Sequence, residues 1–434
     1  MIDNNILNRL NAETAEDRLA ALDGVLSEEK SRIQPSKYND TNNHIHTKYS
    51  FSPYSPTAAV YAAYASGLCT AGIVDHDSIS GAREFIEAGR RIGIATTIGC
   101  EVRVSMTGTA LEGLRLNNPD EVNSAYIAFH GVPHTSINKL DGILSQIRKE
   151  REKRDRKQVD TLNSLIPADV RLDFDRDVYP ISMAHDGGSI TERHILMALS
   201  KKLTETYGRG DSLIGFIEND LGISIKGGSR IALENADDFY YDYSVLNILK
   251  SEFVPKFFIE GGSDQFPVKY MVDSAKELGA IPTYCYLGDV GESPTGDKKA
   301  QKFEDDIIDD LFPALKDIGF EAIAYMPSRN TQEQLDLVIS KAKKYDFMQI
   351  SGEDINQPSQ HFVCEKLRDK KFSHLVTSTW ALVGHELAST ADMQNVIYCD
   401  RVRAEYPDTD ERISVYAEVG HKSSENGIYS GGLI

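Results

Sequence analysis

The sequence predicts an α/β fold built on a parallel sheet, and three observations carry that prediction. From residue 40 onward the pattern reads strand, loop, helix, repeated, with strands expected over 71–75, 94–102, 126–130, 280–286, 320–326 and 346–351. The helices between them are punctuated at both ends: Ser55-Pro56 is an N-cap followed by proline at the first helical position, and Gly67, Gly93 and Gly279 stand where helices stop. His46, His76 and Glu101 all fall at the carboxyl ends of expected strands. In parallel α/β sheets that is where sites form, and the alternation implies right-handed crossovers.

Residues 1–38 read as an amphipathic helical extension, with Ile6, Leu7 and Leu10, then Leu19, Leu22 and Leu26, at helical spacing. A helix packed on the outside of the sheet is expected. The strand-bearing part begins at 39 and runs to 137. It opens on Asn42-Asn43-His44-Ile45-His46-Thr47 and continues with Gly72-Ile73-Val74-Asp75-His76-Asp77. Two histidines at i and i+2 of a strand share a face, so they can grip one ion. With Asp75-His76-Asp77 and Gly99-Cys100-Glu101 at the next strand ends, a metal site is favoured over a pair of surface histidines. Tyr126–His130 is a further apolar run ending in a histidine, and His134 follows in a Pro-containing loop.

Residues 138–265 change character. Leu140, Ile143, Leu144 and Ile147 make a helical stripe, followed by Arg148-Lys149-Glu150-Arg151-Glu152-Lys153-Arg154. A solvated helix face of mixed sign is favoured there over a phosphate-binding patch. The acidic, aromatic-rich stretch 205–262 completes an inserted cap.

The strand–helix pattern resumes over 266–360. Pro313 is expected to break or kink the helix 305–317, and Asn330 with Glu333 to open the helix 331–344 in the manner of a capping box. Beyond strand 280–286 lies the loop 288–293. Residues 361–434 form a C-terminal extension with a helix over 374–388, an extended piece over 395–398 and a loose final twenty residues. His385-Glu386 lacks the second histidine of a zincin motif and is read as structural.

His44-x-His46-Thr47, Ser55-Pro56, Ile73–Asp77 and Ile98–Glu101 resemble the first motifs of the PHP (polymerase and histidinol phosphatase) family, and within it the trpH-like metal-dependent phosphoesterases. The resemblance implies a distorted (βα)7 TIM-like barrel with a mostly helical insertion, holding metal ions at the strand ends. It implies His44, His46, His76, Glu101, His130, His194 and Asp354 as metal ligands. His194 enters through Thr191-Glu192-Arg193-His194, preferred over His185. Three positions depart from the family pattern: Phe51 stands for aspartate, Tyr286 for the histidine of an Ala-His-Pro, and Asn356 for the histidine of Gly-Ser-Asp-x-His. Losing an anionic oxygen and two imidazoles argues against three ions, so one or two of manganese, zinc or iron are expected. Tyr286 is expected to turn its hydroxyl to the substrate phosphate.

The implied activity is hydrolysis of a phosphate ester by a metal-activated hydroxide. Asp77 would orient His76 or serve the leaving alcohol, and Arg193 and Arg329 would contact phosphate. The competing reading is a catalytically weakened barrel that binds metal and acts as an interaction or regulatory protein. Composition bounds the partners. A chain of 434 residues, 41% hydrophobic and 26% charged, suits a globular protein with a sizeable core. Its net charge of −19 disfavours general nucleic-acid binding, though bound metals can invert the local sign for a small phosphorylated substrate. Five scattered cysteines, no apolar run of about 20 residues and no signal-like N-terminus point to the cytosol and away from membranes. Nothing in the sequence sets an oligomeric state.

Overall fold

Seven strands form the wall that the alternation implies: β1 (Thr41–Ile45), β2 (Thr70–His76), β3 (Ala95–Ser105), β4 (Ser124–His130), β6 (Ile281–Cys285), β7 (Ala322–Tyr325) and β8 (Met348–Ser351), in that spatial order. The short β5 (Phe266–Pro267) pairs beside the outer end of β3. The structure is a computed structural model and describes residues 3–29, 38–289 and 302–425. All pairings along the wall are parallel except those of β4, which is antiparallel to both β3 and β6. This corrects the wholly parallel expectation, and the reason is local. Residues 106–123 hold no helix, so the chain returns from β3 without a crossover, and a return without a crossover sets the next strand antiparallel.

The wall closes on itself at a seam between β1 and β8. One parallel bridge, Ile45 to Ile355, joins them, with the His46 amide donating to the Ile355 carbonyl at 2.9 Å. Asparagine side chains supply what a ladder would. Asn42 exchanges hydrogen bonds with the backbone of Glu353 (3.0 and 3.1 Å), and the Asn43 amide donates to the Ser351 carbonyl at 2.8 Å. Gly352 allows the approach, because a Cβ there would stand 2.5 Å from the His44 Cβ.

The helix Ser373–Ala391 closes the floor. Trp380, Ala381, Leu382 and Val383 pack with Ala95, Ile281, Ala322 and Met348, the first residues of four strands. Its Glu386 accepts the Ile98 amide at 2.8 Å and meets His134 at 2.8 Å, both side chains buried. The C-terminal stretch is therefore part of the barrel's closure. Its last helix, Thr409–Glu425, packs so closely that Gly384 lies where a Cβ would meet the Tyr416 carbonyl at 1.9 Å. The expectation of a loose end is corrected up to 425; residues 426–434 lie outside the described residues.

Several local expectations meet their outcome here. Helix Pro56–Ala65 begins at the Ser55 cap, and Gly93 ends helix Ala82–Ile92 at φ 89°. Helix Ile308–Ile318 runs through Pro313, which costs only the partner of the Asp309 carbonyl near its start. Thr331 and Gln334, one residue beyond the expected pair, form the capping box of helix Gln332–Lys344, while Asn330 donates to the Leu287 carbonyl. The loop 288–293 is described only as far as Asp289.

Outside the wall, helices Asn4–Leu10 and Ala15–Glu29 pack on the barrel through the buried Arg18–Glu84 pair at 2.6 Å. The insertion is helical, with Ile137–Leu165, Glu192–Tyr207, Asp211–Asn219, Gly227–Glu234 and Tyr241–Phe257. It has its own apolar core, into which the barrel contributes Phe51.

Candidate metal centre

The strand register gathers the donors. His76 on β2 pairs directly with Glu101 on β3, so both side chains project from the same face. His76 Nδ1 stands 3.1 Å from Glu101 Oε2. The β1 pair reaches the same carboxylate, with His44 Nε2 at 3.7 Å and His46 Nε2 at 4.0 Å from Glu101 Oε2. Asp354, carried past β8, puts Oδ1 3.3 Å from His46 Nε2. The donor atoms of His44, His46 and Glu101 all lie within 4.8 Å of one another. This is the spacing of ligands around one ion.

Proton accounting shows which lone pairs are available. Asp75 is buried and accepts the Thr47 amide (2.7 Å), the Thr47 hydroxyl (2.6 Å) and the Ser50 hydroxyl (2.6 Å). Ser50 has spent its proton on Asp75, so its oxygen accepts from His46 Nδ1 at 3.3 Å. His46 then carries its proton on Nδ1 and aims the Nε2 lone pair at the acidic cluster. Burial, together with neighbouring positive charge that includes Arg151, holds His76 well below the ordinary histidine value, so its ring is neutral. Burial resists ionisation of Asp354, but the contact with His46 and the neighbouring His44 and Arg193 hold its carboxyl well below the usual range.

The remaining expected site residues fall around this cluster in different ways. His130 does not end at the barrel rim, because β4 runs the other way; it pairs with Ile281 at the start of β6 and lies deeper than Glu101. Its buried Nε2 has no hydrogen-bond partner among the described residues, and burial, with the charge of His44, lowers it to about 3. His194 is buried while His185 is exposed. Its Nδ1 accepts the Thr191 amide at 3.1 Å, closing a capping box on helix Glu192–Tyr207. The neutral ring therefore presents an N–H at Nε2, a donor suited to an anion. Arg193, next to it, is half-buried, and its charge acts on His76 and Asp354. Asp77 is buried at φ 51° and held by Arg151 through its carboxylate and by Arg148 through its carbonyl (3.0 Å). Arg329 is half-buried in the turn after β7.

Sequence reasoning missed a buried ionic network beside the cluster. Arg151 and Arg154 continue the inward stripe of Leu144 and Ile147, so the basic run is not wholly a solvated face; only Lys149 and Lys153 point out. With Arg103, two positions beyond Glu101, they surround Glu192 at 3.3–3.7 Å. Burial opposes ionisation of Glu192, yet the three guanidinium groups hold it far below the usual carboxylate range. The available signal was the spacing of Arg151 and Arg154 in register with the apolar stripe.

One family model matches part of the chain. Residues 42–214 match the PHP domain family. A 5'-3' exoribonuclease of Haemophilus influenzae is 34% identical over 74 residues, which are 17% of this chain and 27% of that protein. The chain thus matches about a quarter of that relative's length. Two solved structures share the fold. One is a provisionally assigned metal-dependent phosphoesterase from Bifidobacterium adolescentis, with TM-score 0.50 and 17% identity, covering 79% of this chain and 98% of that one. The other is an amidohydrolase from Chromobacterium violaceum solved with bound sulfate and no metal, with TM-score 0.50 and 16% identity, covering 75% and 90%.

The three departures from the PHP pattern have structural occupations. Phe51 packs edge-on against His194 at 5.1 Å between ring centres. Tyr286 is buried and donates its hydroxyl to Asp305 at 2.5 Å, which corrects its expected turn toward a substrate phosphate. Asn356 donates to Asp354 Oδ1 at 2.6 Å, so it orients a carboxylate where the family places an imidazole.

Proposed function

We propose that this chain is a metal-dependent hydrolase that cleaves a phosphate ester of a small metabolite or nucleotide. The observation that carries the reading is the His46–Ser50–Asp75 relay, which fixes an imidazole lone pair toward Glu101 and Asp354. A relay of this kind has no purpose in a surface histidine pair and is what a ligating histidine needs behind it. The mixed nitrogen and oxygen donor set fits manganese, zinc or iron. His44, His46, Glu101 and Asp354 would hold one ion, and His76 and the orphaned His130 are the donors for a second. A divalent ion held there supplies a Lewis acid and lowers the pKa of water from ~15.7 toward ~7.

The chain's own residues do the rest. His194 offers its Nε2–H and Arg193 its guanidinium to the phosphoryl oxygens, and Arg329 is a further candidate contact on the rim. Asp77, locked by Arg151, orients His76 at the end of β2. The PHP match and the shared fold support the hydrolase class, and the phosphate preference rests on His194 and Arg193. The test is elemental analysis of purified protein together with phosphate release from a panel of phosphorylated metabolites. One or two ions per chain are expected, with turnover lost on chelation. The His44→Ala, His46→Ala double variant should lose both ion and turnover while its circular dichroism is unchanged. Turnover indifferent to chelation would overturn the reading, and stoichiometric metal without hydrolysis of any ester would turn it toward the binding-protein alternative.

A further inference from the structure

The imidazoles of the metal centre touch one another, and a tyrosine ends the run. His44 meets His46 edge-on at 5.0 Å between ring centres, and His46 stacks on His76 at 4.6 Å with planes 29° apart. Tyr126 then meets His76 at 5.6 Å with planes 50° apart, so β1 and β4 each lend His76 a ring. Strand alternation puts Tyr126 there. Along β4, Ala125, Ile127 and Phe129 face outward into the apolar core around the barrel, so Tyr126 faces inward with Ala128, the partner of Glu101. Tyr126 enters none of the three apolar cores, and core packing does not account for it.

His76 lacks what the other histidines of the site have. A ligating histidine is ordinarily held by a hydrogen bond at its second nitrogen. Ser50 serves His46 in this way, and Thr191 holds the ring of His194. Among the described residues no hydrogen bond reaches the His76 ring, whose Nδ1 stands 3.1 Å from Glu101 Oε2. Asp77 leaves the ring torsion open, because its carboxylate is taken by Arg151 and it fixes only the strand-end backbone. The His76 side chain is also 25% exposed, so it has room to turn. Tyr126, by contrast, is anchored. Asn117 accepts its amide and donates to its carbonyl, each at 2.8 Å, and donates to the Cys285 carbonyl at 2.6 Å. Pairing of β4 with β6 stops at Ile127, and Asn117 continues the ladder in its place.

We propose that Tyr126 is a positioning residue for His76, its anchored ring holding the imidazole with Nδ1 turned to Glu101. That orientation lets His76 and Glu101 face one ion together. Ring contact does for His76 what the hydrogen bond to Ser50 does for His46. The consequence for ion binding rests on the metal-dependent reading above, but the ring's orientation needs no ion and can be measured without one.

The experiment has two arms on the same samples of wild type, Tyr126→Phe and Tyr126→Leu. Proton–nitrogen correlation spectra of histidine-labelled, chelator-treated protein at neutral pH read the tautomer of His76 and the ring-current shift of its carbon-bound protons, assigned through His76→Gln. Calorimetric titration with cobalt(II) reads ion affinity. Circular dichroism checks the fold, and Tyr126→Thr, which suits a strand, replaces the leucine variant should that one not fold. Wild type and the phenylalanine variant should show one His76 tautomer with shifted protons, and the leucine variant an averaged ring. The more weakly held cobalt ion should bind about 10–100-fold less tightly in the leucine variant and within about twofold of wild type in the phenylalanine variant. If no sample binds cobalt but the leucine variant alone loses the fixed ring, Tyr126 keeps its role and the metal reading falls. A phenylalanine variant as impaired as the leucine one would assign the effect to the hydroxyl and overturn the stacking. A His76 ring as well ordered with leucine as with tyrosine, or cobalt bound with affinity unmoved by loss of the aromatic ring, overturns it too.

Discussion

A single proton explains how much of this site depends on residues that touch no ion. Ser50 can accept from His46 only because Asp75 takes its hydroxyl proton, and Asp75 is itself buried and pinned by the Thr47 amide and hydroxyl. Ser50→Ala removes the acceptor that selects the His46 tautomer and leaves its ring free to rotate. Metal affinity should fall about 10–100-fold with the fold intact, as for other outer partners of ligating histidines; titration with manganese reads it, and an unchanged affinity would deny the relay its role. A second histidine carries a different lesson. His385 is fully buried on the floor helix, with Nε2 donating to the Gly279 carbonyl at 3.0 Å and Nδ1 accepting the Ile397 amide at 3.2 Å. Burial lowers it to about 4, against hydrogen bonding that raises it. A folded value below the unfolded 6.5 means the unfolded chain binds the extra proton, so this contribution is whole above pH 6.5 and is lost as pH falls toward 4. His385→Gln can make both hydrogen bonds and has no proton to gain. Between pH 6.5 and 4 the wild type should lose stability faster than the variant, by at most about 1.4 kcal/mol per pH unit, in urea melts of chelator-treated protein.

Strands and helices place these side chains, and the seam between β1 and β8 is the tightest case. Gly352 lies against the His44 backbone and Cβ, so Gly352→Ala must push β1 and the loop after β8 apart. A loss of about 1–3 kcal/mol is expected, as for other forced insertions into packed sites, with metal retention falling alongside because His44 moves. Retained stability with full metal binding would show that the seam can give. The seam also marks where sequence reading stops. Six of the seven wall strands were legible from apolar runs and helix punctuation, and β1 from its His-x-His pair, because those signals are local. The antiparallel sense of β4 was not, since it depends on a connection without a helix rather than on the strand's own residues. His44, His46, His76 and Glu101 were legible from strand-end position, and the structure brings them together. Arg103, Arg151 and Glu192 were not, because a buried arginine network looks like a surface charge run until its helix face is known. Tyr286 and Asn356 were visible as departures, but their partners Asp305 and Asp354 are tertiary facts.

Across the whole molecule, the barrel and the insertion have separate apolar cores, and two of the ties that cross between them work on opposite terms. The ionic tie is Arg151, which grips Asp77 of the barrel and Glu192 of the insertion. Such a buried network adds little net stability but is costly to break, because each loss strands a charge. The apolar tie is Phe51, a barrel-loop residue only 6% exposed whose ring lies among insertion residues. The metal-proposed donors sit on the barrel, while His194 and Arg193 sit on the insertion, so the site is complete only when both bodies are docked. Phe51→Ala should leave a void at that junction. Truncations of this kind cost about 3–5 kcal/mol in a single core. Here the cost should fall on docking rather than on either core. Hydrogen exchange distinguishes the two. Amides of helices Glu192–Tyr207 and Tyr241–Phe257 should exchange faster in the variant, while those of β2 and β3 keep their protection. A uniform rise across the chain would mean that barrel and insertion unfold as one unit and that Phe51 is an ordinary core residue.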